Sequence, residues 1–203
     1  MVKLLHKWQL IESDVEDDFF IMVEITAGKA HNKVTLNFIG LFLGTIESTL
    51  PSINSTFPEL NATINELKEM KWIESILSSS RSGPTLPSMD LKNKFLFHKT
   101  FEKVKSDIVS YPIPEEGIIG ALVMIMEQPK EVVALNTCRG LMSRITSDSI
   151  DFPHKAGNLY SIDYTIEGQE EDIGESDICI RWLRRLYEYP RHAREGKELN
   201  PIR

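Results

Sequence analysis

The chain has 203 residues, of which 41% are hydrophobic and 26% charged, and its formal net charge is −7 at pH 7. This composition is typical of a globular protein with one buried core, so we expect a single domain over residues 1–203. The acidic excess argues against specific DNA binding, because a duplex binder must neutralise phosphates with basic residues. Two cysteines are too few for a disulfide scaffold.

The first ten residues lack a long apolar run before a small-residue cleavage site, which predicts a cytoplasmic protein. The most apolar stretch, 38–46, is far shorter than the ~20 residues of a spanning helix, so no transmembrane segment is predicted. Residues 54–56 and 61–63 both fit the Asn-x-Thr pattern of N-glycosylation. Without a secretory signal, we expect them to act as turn and capping residues.

Three elements are predicted in the first part of the chain. Apolar residues alternate with others over 19–25, which indicates a strand. Residues 33–50 have apolar positions three and four apart, which predicts a buried helix with Asn32 as its cap and Pro51 at its end. A capping-box spacing then predicts a second amphipathic helix over residues 56–77.

The middle of the chain is expected to contain a mobile loop. Residues 78–90 are rich in Ser, Pro and Gly, which is typical of such a loop. The basic and aromatic stretch 92–101 suits a strand or a short helix about equally. Acidic residues after two prolines predict a largely buried helix over 115–126.

The last part of the chain contains the clearest strand pattern. Residues 132–145 are a candidate helix, broken or bent at Gly140, and 159–166 alternate as a strand does. Residues 178–187 are expected to close the ordered body, with a polar tail from 191. These elements predict an α+β fold in which helices pack on a small, mainly antiparallel sheet.

No pattern for catalysis, metal binding or a cofactor stands out. The histidines are scattered, which argues against a metal site. Cys138 could be a thiolate activated by Arg139, but a small buried residue on a helix is favoured. The pair Glu115 and Glu116 is typical of a helix start. Residues 117–120 lack the lysine of a phosphate-binding loop, so no nucleotide, metal or catalytic residue is predicted.

Charge is arranged in blocks near the carboxyl end. Residues 163–177 hold seven carboxylates and no base, and 181–194 hold five arginines against Glu188. The arginines could simply neutralise the preceding carboxylates within one subunit. The other interpretation is a protein-binding surface, because aromatic and arginine side chains dominate such contacts. The residues assigned to partner binding are Arg181, Trp182, Arg184, Arg185, Tyr187 and Tyr189.

A second basic group alternates with phenylalanines. It could bind an anionic membrane surface or a ribonucleoprotein, and its members are Lys92, Lys94, Lys99, Lys103 and Lys105. The order of strand, two helices, Ser82-Gly83-Pro84 loop and basic stretch 94–97 resembles the layout of rhabdovirus matrix proteins. The resemblance implies a non-enzymatic protein that self-associates, condenses a nucleocapsid and meets the inner membrane surface.

The sequence therefore predicts a non-enzymatic interaction or structural protein with a charge-segregated surface. It would act by binding other copies of itself or a partner protein. The alternative is a small intracellular enzyme, a transferase or hydrolase, whose active-site residues are dispersed in the sequence.

Overall fold

The computed structural model describes residues 1–10, 18–28, 33–79, 101–127, 131–138, 140–146, 148–149, 151, 156–168 and 176–194. The helices and strands in chain order are α1 (Val2–Gln9), β1 (Phe19–Ala27), β2 (Val34–Phe42), α2 (Ile46–Thr56), α3 (Trp72–Ser79), β3 (Phe101–Val109), α4 (Glu115–Met126), β4 (Glu131–Thr137), α5 (Leu141–Arg144), β5 (Tyr160–Gly168) and α6 (Ser176–Arg194). Two 3-10 turns, Pro58–Leu60 and Ile64–Glu66, lie between α2 and α3. No helix among the described residues is long and apolar enough to span a membrane.

The chain divides into two compact units. The first comprises Met1–Phe42 and Thr100–Arg203 and contains the sheet, and the second is Leu43–Lys99, which contains α2, the 3-10 turns and α3. The five strands of the sheet lie in the order β2-β1-β4-β5-β3, and each neighbouring pair is antiparallel. The predicted α+β class with an antiparallel sheet is confirmed.

Helices α1, α4 and α6 pack on one face of this sheet. Strand β5, next to the central strand β4, contributes four alternate residues to that face, Tyr160, Ile162, Tyr164 and Ile166, and all four are buried. Helix α4 places Ile118, Leu122 and Ile125 against them, and α6 places Leu183 and Leu186 in the same core. The strand predicted at 159–166 and the helix predicted at 115–126 are confirmed.

The strand predicted at 19–25 is confirmed as β1, but the helix predicted over 33–50 is wrong. Strand β2 occupies 34–42 and α2 begins at Ile46. The backbone N–H of Gly28 donates to the Lys33 carbonyl at 2.8 Å, which extends the pairing of β1 and β2 beyond their last residues. In β2, apolar residues lie on both faces of the sheet, so some of them are three or four positions apart, as in a helix. Pro51 lies inside α2 and does not end it.

The second amphipathic helix predicted over 56–77 is also wrong. A 3-10 turn ends at Asn61, whose backbone is left-handed with φ 48° and ψ 47°. The capping box forms at Thr63 and Glu66 instead of at the predicted position, and α3 begins only at Trp72. Asn61 ends the helical path because a left-handed residue cannot continue a right-handed helix.

The helix predicted over 132–145 is wrong as well. Its first half is strand β4, which is paired on both sides with β1 and β5, and only the short α5 follows. Helix α6 continues to Arg194, beyond the start predicted for a polar tail. Residues 80–100, which include most of the predicted loop, and residues 195–203 lie outside the described part of the chain.

Candidate functional site

A group of polar side chains lies on the sheet face opposite to the helices. On β5 the residues between the buried aromatic and aliphatic ones are Ser161, Asp163 and Thr165, which point to this second face. Ser161 and Asp163 are partly exposed. We call this surface the open face of the sheet.

The carboxylate of Asp163 is held between two neighbouring strands. Ser106 Oγ on β3 donates to Asp163 Oδ1 at 2.6 Å, and Asn136 Nδ2 on β4 donates to Asp163 Oδ2 at 2.8 Å. Ser106 lies directly opposite Asp163 in the antiparallel register, and Asn136 lies opposite Ser161. Each carboxylate oxygen therefore has its own donor, and the side chain is fixed in one orientation on the open face.

Apolar side chains continue the same face on the other half of the sheet. Met22 on β1 is the register partner of both Asn136 and Ile39, and Phe20 is the partner of Leu41. Ile39 is 41% exposed and Phe20 is 37% exposed, so this half presents apolar surface to solvent. The open face thus combines one oriented carboxylate with a neighbouring apolar strip.

Cys138 lies beside this group, directly after β4. Burial raises the pKa of its thiol; a hydrogen bond from the Ser161 backbone opposes the change, and the negative charge of Asp163 adds to it. A thiol with a raised pKa stays protonated at neutral pH, so Cys138 is not an activated nucleophile. It also lies after a strand, not on the helix that was favoured for it. Neither Cys138 nor Cys179 is part of a disulfide.

The arrangement on the open face can accept a proton or pair with a cation. An oriented carboxylate that lies partly in solvent suits either role, and the apolar strip can hold the body of a small molecule. Within the described stretches of chain there is no group of three residues able to hold a metal ion. A separate cavity lies between the sheet and its helices and is lined almost wholly by apolar core residues. Its volume of about 40 Å³ is too small for a substrate.

The six residues assigned to partner binding all lie on α6, but they have different surroundings. Trp182 is buried and donates through Nε1 to the Met124 carbonyl at 2.9 Å. Tyr187 contacts Tyr164 edge to face, with ring centroids 5.9 Å apart. Tyr189 packs against Gly120 of α4.

The arginines among the six lie on the exposed side of α6. Arg181, Arg184 and Arg185 are exposed, and Arg185 lies 4.0 Å from Glu127. Such an exposed pair contributes under about 1 kcal/mol. The binding role of these residues stays a prediction.

The basic residues assigned to anionic surfaces are only partly described. Lys92, Lys94 and Lys99 lie outside the described residues. Lys103 is exposed on β3, and the Lys105 ammonium lies 3.4 Å from the centre of the Tyr187 ring. Both lie on the helix side of the sheet, away from Asp163. Their role stays a prediction.

The group on the open face was missed in the sequence. Asp163 belongs to the acidic block, which hid it among six other carboxylates. Asn136 lies in the segment predicted to be a helix. The available signal was the period-two alternation of β5, which placed Ser161 and Asp163 on one face. This alternation alone does not identify the site, because the partners of Asp163 lie on the neighbouring strands β3 and β4.

No family model matches the chain. Berberine bridge enzyme-like D-1 from Nicotiana tabacum is 35% identical over 195 residues, which cover 91% of this chain and 34% of that protein. Tetrahydroberberine oxidase from Berberis wilsoniae is 34% identical over 197 residues, covering 92% of this chain and 36% of that protein. The berberine bridge enzyme structure from Eschscholzia californica matches with a TM-score of 0.84 and 29% identity, over 98% of this chain and 39% of that one.

These similarities correct the main functional predictions. They extend over nine tenths of the chain and point to berberine bridge enzyme-like proteins, so the resemblance to rhabdovirus matrix proteins is wrong. The prediction of a non-enzymatic structural protein is wrong too, because the similar proteins are enzymes. The enzyme alternative is the better interpretation. The chain spans about a third of the length of the curated relatives.

Proposed function

We propose that this chain forms the substrate side of a berberine bridge enzyme-like oxidoreductase that uses FAD. Support comes from the similarity along the chain and from the Asp163 carboxylate, which Ser106 and Asn136 orient on the open face. The oriented carboxylate is the observation on which the proposal depends.

The proposed role of Asp163 is to accept a proton from the substrate. Two-electron oxidation of an amine or alcohol removes a proton as well as a hydride equivalent, so a positioned base accelerates it. Ser106 and Asn136 hold the carboxylate oxygens in place. Met22 and Ile39 offer apolar contact to the body of a substrate lying on the same face.

The cavity in the core of the first unit does not fit FAD, because its volume of about 40 Å³ is too small for a dinucleotide. The chemistry assigned to this chain is therefore limited to proton transfer and substrate contact.

The test inserts this chain in place of the matching segment of the Berberis wilsoniae tetrahydroberberine oxidase. Asp163→Asn should lower kcat for tetrahydroberberine by about 10²–10⁴-fold with a smaller change in KM, because the amide cannot accept the proton. Flavin absorbance of the purified chimera shows that it has assembled. The matched control is Glu188→Gln, an acid-to-amide change on the exposed side of α6. Activity retained by Asp163→Asn at the level of this control would contradict the proposal.

Two further points accompany the proposal as predictions. Residues 1–203 are expected to form a single domain, and α6 is expected to contact a partner protein or a second copy. The proposed chemistry depends on neither of them.

A further inference from the structure

The two Asn-x-Thr segments have different surroundings in the second unit. Asn54 lies in α2, and Asn61 ends the following 3-10 turn. The same acceptor pattern is present at both, so we ask which asparagine can carry a sugar in the folded protein without losing a contact.

The side-chain amide of Asn54 is bound at both of its ends. Its Oδ1 accepts from the Ala62 backbone N–H at 2.9 Å, and its Nδ2 donates to the Ala62 carbonyl at 3.1 Å. Because one residue supplies both partners, the donated hydrogen must be the one on the same side as Oδ1. A glycosylated amide is planar and trans, which places the sugar carbon on that side. A sugar on Asn54 therefore requires this pairing to break.

Asn61 has the opposite surroundings. It is exposed, and its backbone N–H already donates to the Pro58 carbonyl at 3.1 Å. Its side-chain amide has no hydrogen-bond partner within the described residues. Asparagine tolerates the left-handed backbone found here, so a sugar can be added without a change in the turn. Thr63, which completes the pattern, is exposed as well.

We propose that Asn61 is an acceptor site for an N-linked glycan and that Asn54 stays unmodified in the folded protein. Asn61 Nδ2 loses one proton and forms a bond to the anomeric carbon of an oligosaccharide carried on a lipid diphosphate. The bond from that carbon to the diphosphate breaks, and the diphosphate leaves. This site is independent of the proposed oxidoreductase function, and it applies to chain that passes through a secretory compartment.

The experiment secretes the full chain from yeast behind a signal peptide and measures the intact mass and peptide masses with and without N-glycosidase. Asn61→Gly removes the acceptor while keeping a residue that favours a left-handed backbone. Asn61→Asp is a second variant in case the glycine variant is not secreted. The matched control is Asn54→Asp, which keeps an oxygen for the Ala62 N–H.

We expect wild type and Asn54→Asp to carry the same glycan mass on the peptide that contains Asn61. Both Asn61 variants should lose that mass completely. A secreted wild type without sugar on Asn61, or a glycan found on Asn54 in the folded protein, would overturn the proposal.

Discussion

Asp163 and Cys138 interact through the negative charge on the open face. The carboxylate accepts hydrogen bonds from Ser106 and Asn136, and its charge raises the pKa of the nearby thiol, to which burial contributes more. A single substitution at Asp163 therefore tests the electrostatics of the site without any knowledge of the substrate.

Alkylation of Cys138 should be slow at neutral pH. Only the thiolate reacts with the reagent. Because the pKa of Cys138 is raised, its thiol stays protonated up to a higher pH than an ordinary cysteine does. Asp163→Asn removes the negative charge, so the pKa should fall and the rate at a fixed pH should rise. The measurement is the pH profile of iodoacetamide labelling in a Cys179→Ser background. An unchanged profile in Asp163→Asn would show that the carboxylate charge does not reach the thiol.

The contact between α4 and α6 depends on the absence of a side chain at Gly120. A Cβ at this position would overlap the Tyr189 hydroxyl and would lie 2.5 Å from its Cζ. The close approach of the two helices also buries part of Tyr189 and raises its pKa. Glycine inside α4 is thus explained by helix packing, since glycine is otherwise unfavourable in a helix.

Gly120→Ala should destabilise the protein by about 1–3 kcal/mol, as overpacked cores do. Without the overlap, replacing glycine by alanine inside a helix would stabilise the protein by about 1 kcal/mol. A measured loss of stability would therefore be evidence of the overlap with Tyr189. Urea unfolding measures it. In a Tyr189→Leu background the same substitution should become neutral or stabilising. Gly40→Ala is the control, because its nearest neighbour would lie 3.6 Å away.

Gln9 joins parts of the molecule that are distant in sequence. Its Oε1 accepts from the Ile113 N–H at 2.8 Å and from the Tyr160 hydroxyl at 2.5 Å, and its Nε2 donates to the Ile113 carbonyl at 3.1 Å. Gln9 is itself buried, as are Ile113 and Tyr160. One side chain therefore ties α1 to the segment before α4 and to β5.

Gln9→Leu should lower the free energy of unfolding by about 2–5 kcal/mol, because it leaves buried polar groups without partners. Tyr160→Phe removes only one of these hydrogen bonds and should lower it by about 1 kcal/mol. Chemical denaturation at constant pH compares the two. Equal effects of the two substitutions would show that water replaces the amide of Gln9.

Local patterns in the sequence were sufficient for some elements. β1 and β5 alternate with period two and lie with one face in the core, and acids open α4 after two prolines. β2 and β4 could not be predicted in this way. In β2, apolar side chains lie on both faces of the sheet, and β4 is paired with a strand on each side. Apolar and polar residues therefore do not alternate with period two in these strands.

The α+β class, the amphipathic strands and the buried α4 can be predicted from local sequence, because each depends on the side chains of one short segment. The candidate site cannot, because it forms only when distant strands pair. Ser106 lies 57 residues from Asp163 in the chain and Asn136 lies 27 residues away, and both reach the carboxylate through the register of neighbouring strands. That register is set by hydrogen bonds between distant segments, which no local periodicity contains.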